Sequence, residues 1–296
     1  MKRILMAISI LMACLLMFAS CNWTKTPEGV YVTTNGDGTC YVSGIDNGTD
    51  ANLVIPTTSP KGDTVTSIGE QAAFRCENLT SVVIPDTVAS IGNEAFASCE
   101  NLTSATIGNG VTGIGKEAFV YCKSLATLTI GSSVTEIGER AFNSCAALTS
   151  IVIPDSVTTI GEEAFLGCIS LTSITIPDSV TTVGSRAFYG CESVTSIQIG
   201  SGYQIIGEDV FEGCYGVTSL VIAEGVTKIQ TRAFSGCDNL TTVYIPESVT
   251  DIGEGAFSNL KEVCYAGSES EWNAITKGTE WEENKELYTI YFDYNY

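Results

Sequence analysis

The chain has 296 residues and a formal net charge of −20, from 34 Asp and Glu residues against 14 Lys and Arg residues. Because nucleic-acid binding needs Lys and Arg to neutralise phosphates, this balance argues against a nucleic-acid partner. Histidine is absent, which removes the commonest general base and the commonest metal ligand, while a hydrophobic content of 44% is sufficient for a folded core.

The N-terminus predicts an export signal over residues 1–20. Lys2 and Arg3 precede an apolar run over residues 4–18, which is shorter than the ~20 residues of a transmembrane helix. The small pair Ala19-Ser20 before Cys21 resembles the lipobox of bacterial lipoproteins. The resemblance implies lipidation of Cys21, attachment to the bacterial membrane and cell-surface exposure. An ordinary signal peptide followed by an incidental cysteine is the alternative.

Residues 21–64 are predicted to form an N-terminal cap. Two runs of alternating apolar and polar residues flank the segment "NGDG" at residues 35–38. This pattern is typical of a β-hairpin, and we expect one over residues 29–45. A calcium loop is a weaker interpretation of the segment, because Cys40 stands where such a loop needs glycine.

One residue pattern then repeats every 23 residues, and three of its slots are regularly aliphatic, phenylalanine and cysteine. The phenylalanine slot consists of Phe96, Phe119, Phe142, Phe165, Phe188, Phe211, Phe234 and Phe257. A fixed period of roughly 20–29 residues is typical of a leucine-rich-repeat solenoid, in which stacked units bury a continuous core. We therefore predict a solenoid over residues 65–265.

Residues 171–191 illustrate the prediction for one unit. In "LTSITI", residues 171–176, the apolar residues have strand spacing, so Thr172, Ser173 and Thr175 should point outward. Pro177 begins a turn, and a second short extended segment ends at Gly184. The segment "SRAFYGC" that follows predicts one tight helical turn.

The pattern I-P-x-x-V-x-x-I-G-x-x-A-F-x-x-C-x-x-L at residues 153–171 resembles the BspA-type leucine-rich repeat. The resemblance covers about residues 65–265 in eight copies, and it departs from the pattern at Ala73, Tyr203 and Val210. The expected fold is a solenoid that is mainly β with one short helical turn per 23-residue repeat, capped at both ends.

Residues 266–296 are predicted to form a C-terminal cap. Ser268 followed by Glu271 is a capping-box signal for a short helix, and an aromatic strand ends the chain. We expect an aromatic lid that consists of Trp272, Trp281, Tyr288, Tyr291 and Phe292.

The cysteine slot predicts a ladder of buried free thiols. Equivalent side chains on neighbouring coils should be about 4.8 Å apart, whereas the Cβ atoms of a disulfide are ~3.8 Å apart. The slot consists of Cys76, Cys99, Cys122, Cys145, Cys168, Cys191, Cys214 and Cys237. Their even spacing does not match a zinc site. The glycine-rich segment at residues 108–113 matches the G-x-G-x-x-G pattern of a dinucleotide-binding loop. The 23-residue repeat explains this match better than nucleotide binding does.

The outward strand positions predict a binding face. They are short and uncharged, and a concave solenoid surface with such residues suits recognition rather than catalysis. The candidate partner-binding residues are Thr106, Thr129, Thr175, Gln198 and Tyr244. Glu139, Glu162 and Glu163 are predicted to lie on a solvated turn face.

We expect no enzyme activity, no cofactor and no metal. The family resemblance implies an adhesin-like surface protein whose partner is an extracellular protein, from the host matrix or from another bacterial surface. A surface glycan-binding protein in nutrient capture is the alternative.

Overall fold

The computed structural model describes residues 23–46, 48, 50–281 and 288–294. The predicted export signal and Cys21 lie outside the described residues. The strands are, in chain order, β1 Trp23–Lys25, β2 Val30–Thr34, β3 Thr39–Ile45, β4 Asn52–Val54, β5 Thr64–Ile68, β6 Ser81–Ile84, β7 Ser90–Ile91, β8 Ser104–Ile107, β9 Gly113–Ile114, β10 Thr127–Thr129, β11 Glu136–Ile137, β12 Thr159–Ile160, β13 Ser173–Ile176, β14 Thr182–Val183, β15 Ser196–Ile199, β16 Ile205–Ile206, β17 Ser219–Val221, β18 Lys228–Ile229, β19 Thr242–Ile245, β20 Asp251–Ile252, β21 Glu262–Tyr265, β22 Thr276–Lys277 and β23 Thr289–Tyr291. One helix, α1 Glu269–Ala274, lies between β21 and β22.

The coils of the solenoid contribute one strand to each of two faces, except that the coil at residues 149–153 has no strand on the first face. The strand face is formed by three sheets in succession, β4-β6-β8-β10, β13-β15 and β17-β19-β21-β23. The second face consists of a nine-stranded sheet from β1 to β14 and a four-stranded sheet from β16 to β22. Neighbouring coils pair in parallel and in register, as Ser104 with Thr127 and Ile137 with Ile160 show. This arrangement confirms the predicted leucine-rich-repeat solenoid.

The third side of each coil, the turn face, differs from the prediction. The expected helical turn is wrong: the segment is a succession of turns in which two residues, such as Glu94 and Ser98, have positive φ. Left-handed residues four positions apart interrupt the dihedral angles that a right-handed helix requires. The amides of Glu94, Phe96 and Ser98 therefore donate to carbonyls of the next coil, at 2.8, 2.7 and 2.7 Å.

Two ladders of identical side chains fill the core behind the turn face. The phenylalanine rings from Phe96 to Phe257 are fully buried and stack with centroid separations of 5.0–5.7 Å. The eight ladder cysteines are buried free thiols, as predicted. The thiol of Cys122 donates to the carbonyl of Phe96 in the previous coil at 3.2 Å, and later coils repeat this bond.

The strand face is interrupted at residues 149–153. Within the described part of the chain, no backbone hydrogen bond joins Ser150, Ile151 or Val152 to a neighbouring coil. Ile151 is only partly buried, and Val152 is 80% exposed. The segment reads almost the same as β13, so no residue in it explains the gap.

A second interruption, between β14 and β16 and between β15 and β17, coincides with the unusual residue Tyr203. This buried side chain stands where other coils have valine. Its hydroxyl accepts a hydrogen bond from the Gly207 amide at 2.8 Å, whereas the equivalent amide of Gly184 donates to the Ile160 carbonyl of the preceding coil. The tyrosine thus replaces a bond between coils with a bond inside one coil.

Both ends of the stack are covered. β2 and β3 form the predicted antiparallel hairpin, and β3 pairs in parallel with β5. At the other end, α1 has the predicted capping box between Ser268 and Glu271, and the buried Trp272 contacts Trp281. Parallel pairing thus begins at β3 and continues to β23, while the four segment boundaries stay predictions. Nothing in the described part of the chain forms a helix that combines the length and hydropathy of a membrane span.

Candidate binding face

Four of the five predicted partner-binding residues are exposed on the strand face. Thr106 of β8 lies beside Thr129 of β10, and Thr175 of β13 lies beside Gln198 of β15. The hydroxyl of Thr175 donates to Oε1 of Gln198 at 3.3 Å. The two pairs lie on different sheets because the interruption at residues 149–153 separates β10 from β13.

Tyr244, the fifth predicted residue, has a different environment. It lies on β19 in the third sheet and is half-buried, with its ring centroid 5.5 Å from that of Tyr294. The outward row continues from Tyr244 through Cys264 to Tyr291. The C-terminal end of the strand face is therefore aromatic, whereas its middle consists of threonine, serine and glutamine with the exposed Val152.

A groove of about 380 Å³ opens at this aromatic end and includes Tyr244, Tyr294, Glu224, Glu247 and Cys264 in its lining. Both glutamates are exposed and follow the strand, at the turn position that holds Asp86 and Asp178 in other coils. No Lys or Arg is among the described residues that line the groove. It therefore presents two carboxylates beside two aromatic rings.

Sequence analysis found Tyr244 but missed the rest of the groove. The signal at positions 224 and 247 was a long glutamate at a turn position that holds the shorter aspartate, asparagine or serine in the other coils. No comparable signal exists for Tyr294, because it reaches Tyr244 through the fold from 50 residues away.

The turn face carries an alternating row of charges. This charge row begins at Glu117 and continues through Arg140, Glu163, Arg186 and Asp209 to Arg232, with one residue per coil. Asp209 is 1% exposed, and its two carboxylate oxygens accept from Nε of Arg186 at 3.0 Å and Nε of Arg232 at 2.9 Å. Burial, and then the neighbouring Asp209 carboxylate, raise the pKa of Glu212.

This row corrects the prediction of a uniformly solvated turn face. Glu162 is exposed, but the Glu163 side chain is only 12% exposed and its Oε2 lies 2.6 Å from Nε of Arg140. Glu139 is half-buried and pairs with Lys116 at 2.9 Å. The turn-face charges thus join neighbouring coils.

The thiol ladder is chemically quiet. Burial raises the pKa of Cys99 and of Cys168 to about 12, so little of the reactive thiolate forms at neutral pH. Within the described ranges, no group of three or more Cys, Asp and Glu side chains is placed to hold a metal ion.

The comparisons with known proteins agree with this architecture. Residues 57–169 and 135–264 match the BspA type leucine rich repeat region in six copies. A leucine-rich repeat protein from Bacteroides ovatus is 26% identical with a TM-score of 0.64, covering 86% of this chain and 66% of that chain. The T. pallidum leucine rich repeat protein is 25% identical with a TM-score of 0.53, covering 73% of this chain and 91% of that chain.

A leucine rich cell surface protein from Faecalibacterium prausnitzii is 28% identical with a TM-score of 0.37, covering 86% of this chain and 97% of that chain. No curated protein matches the sequence. The repeat match extends over more than half of the chain, and the solenoid has the stacked coils that such repeats build. The chain therefore belongs to the BspA-type leucine-rich-repeat family.

Proposed function

We propose that this chain is a lipid-anchored, adhesin-like binding protein of a bacterial surface that recognises an extracellular protein through the strand face. The observation that carries the proposal is the row of exposed, uncharged side chains at Thr106, Thr129, Thr175 and Gln198. A regular surface of short polar groups provides many weak contacts, which suits docking of a protein better than chemistry. The predicted concavity of this face and the absence of enzyme activity are part of the proposal.

The anchor rests on the sequence at Cys21, where lipidation would create the membrane attachment. Replacing Cys21→Ser should release the protein from the membrane fraction or block processing of the N-terminus. Fractionation of cells followed by mass spectrometry of the N-terminus measures both effects. Unchanged processing and membrane association would show that Cys21 is not the anchor.

The binding face is tested by placing three charges in its middle. The variant Thr129→Lys, Thr175→Lys and Gln198→Lys should keep its thermal stability, because these side chains are exposed. Binding to whichever member of a matrix-protein panel, fibronectin included, the parent protein recognises should fall at least tenfold, about 1.4 kcal/mol.

A control with the same added charge uses the position that follows each ladder cysteine. This position already holds Lys123 in one coil, so Ala146→Lys, Ile169→Lys and Tyr215→Lys should be tolerated there. The control should bind like the parent protein. Loss of binding in the control together with normal binding in the strand-face variant would place the partner on another side of the solenoid.

A surface glycan-binding protein in nutrient capture is the second candidate. The hydrogen-bonded Thr175 and Gln198 and the exposed ring of Tyr294 favour it, because sugars bind through hydroxyl partners and aromatic faces. A glycan array read beside the matrix-protein panel distinguishes the two candidates. Binding to glycans that is lost in the strand-face variant would favour the second.

A further inference from the structure

We propose that the groove between Tyr244, Tyr294, Glu224 and Glu247 binds a basic side chain, arginine or lysine, of the extracellular protein partner. This inference rests on the proposed binding function of the strand face, and it names the chemistry that one end of that face recognises.

The aromatic walls are held in place by the backbone. The amide of Tyr294 donates to the carbonyl of Tyr265 at 3.2 Å, and the amide of Asp293 donates to the carbonyl of Gly267 at 3.0 Å. The rings of Tyr294 and Tyr244 are inclined at 49°, with their centroids 5.5 Å apart. Two ring faces at such an angle form a corner that attracts a cation, and guanidinium groups also stack on them.

The carboxylates of Glu224 and Glu247 are available to a ligand because they do not accept backbone hydrogen bonds as those of Asp86 and Asp178 do. Oδ1 of Asp86 accepts from the amide of Asn109 at 2.6 Å, and Oδ1 of Asp178 accepts from the amide of Ser201 at 2.7 Å. Among the described residues, no hydrogen bond or ion pair engages the carboxylate of Glu224 or Glu247. The longer side chains thus carry their charges beyond the turn and to the groove.

The surroundings favour a cation over a neutral ligand. The part of the groove that the described residues line contains no Lys or Arg, and the whole chain has a net charge of −20. The strands of the strand face from β4 to β19 contain no charged residue, so the carboxylates of Glu224 and Glu247 concentrate negative potential at this end of the face. A guanidinium or ammonium group would meet both the carboxylates and the ring faces, while its methylene stem would lie along apolar wall. The volume of about 380 Å³ accommodates one long side chain.

The test uses the full chain and three short peptides that differ in one central residue, arginine, lysine or citrulline. Titration calorimetry should show binding of the arginine and lysine peptides and at least tenfold weaker binding of the uncharged citrulline peptide. The double variant Glu224→Gln and Glu247→Gln should lose the preference for the arginine peptide over the citrulline peptide. The variant Tyr244→Ala should bind the arginine peptide at least fivefold more weakly than the parent protein does. The matched control, Glu162→Gln with Glu192→Gln, removes two exposed carboxylates elsewhere and should bind like the parent protein.

Equal binding of the arginine and citrulline peptides, or an unchanged preference in the groove double variant, would overturn the inference. A neutral oligosaccharide that binds and is lost in the same groove variants would overturn it as well, because the groove would then be a sugar site. The failure of the groove inference can be distinguished from the failure of the proposed binding face. If the strand-face lysine variant no longer binds the partner while no basic peptide binds the groove, only the groove inference fails. If basic peptides bind the groove but the partner ignores the strand-face lysines, the proposed face fails.

Discussion

Two residues of each turn on the turn face have a left-handed backbone conformation, and the residue type at the second of these positions changes along the solenoid. The early coils place Arg75, Ser98, Tyr121 and Ser144 at this position, while the next four place Gly167, Gly190, Gly213 and Gly236 there. The φ values are similar, 58° at Ser98 and 68° at Gly190. Since a side chain in this region costs roughly 1–2 kcal/mol, the early coils carry a strain that the later coils avoid.

This difference predicts opposite effects of two substitutions. Ser98→Gly should raise the free energy of unfolding by about 0.5 kcal/mol, because relief of strain exceeds the added freedom of the unfolded chain. Gly190→Ala should lower the free energy of unfolding by about 1 kcal/mol, because alanine is strained at positive φ. No steric clash adds to this cost, since a Cβ at Gly190 would meet no atom within 4 Å. Urea denaturation of the two variants measures both, and a shift in the same direction would contradict the account.

At the scale of the element, the phenylalanine ladder has ends of unequal quality. Phe165 stacks between Phe142 and Phe188, whereas the first ring, Phe96, has Phe119 as its one stacking partner among the described residues. The slot before it holds Ala73, and the adjacent Phe74 is 40% exposed. The last ring, Phe257, instead meets the edge of Trp281 at 6.3 Å.

The ladder predicts a position-dependent cost of removing a ring. Phe165→Ala and Phe96→Ala each empty a fully buried site and should each lower stability by about 3–5 kcal/mol. The loss at Phe165 should be larger by about 0.5–1.5 kcal/mol, because it breaks two aromatic contacts rather than one. Thermal and urea unfolding measure the difference, and an equal or larger loss at Phe96 would show that stacking adds nothing to burial.

The strands and the turn face show what periodicity can and cannot specify. Outward Thr172 and Thr175 and inward Ile174 were predictable, because alternation fixes which side of a strand each residue takes. The prediction of a helical turn was wrong because the apolar pair Ala187-Phe188 can be buried equally well by a helix and by a turn that contains left-handed residues. Only the backbone dihedral angles distinguish the two.

At the scale of the whole molecule, the 23-residue period was sufficient to predict the solenoid, but it predicted only part of the binding face. A slot fixes which residues share a row, so Thr106 beside Thr129 was predictable. The interruptions at residues 149–153 and at Tyr203 depend on how successive coils stack, and a pattern within one coil does not contain that information. The groove required Tyr294 from the chain end to meet Tyr244.

The charge row on the turn face also bears on how such a chain changes length during evolution. Recombination between similar copies removes or adds whole units, and any number of units keeps the phenylalanine and cysteine slots aligned. The charge row repeats only every second unit. Loss of the unit that carries Glu163 would bring Arg140 against Arg186, whereas loss of two units would leave Arg140 beside Asp209. Electrostatics in this part of the solenoid therefore favours inheritance of units in pairs.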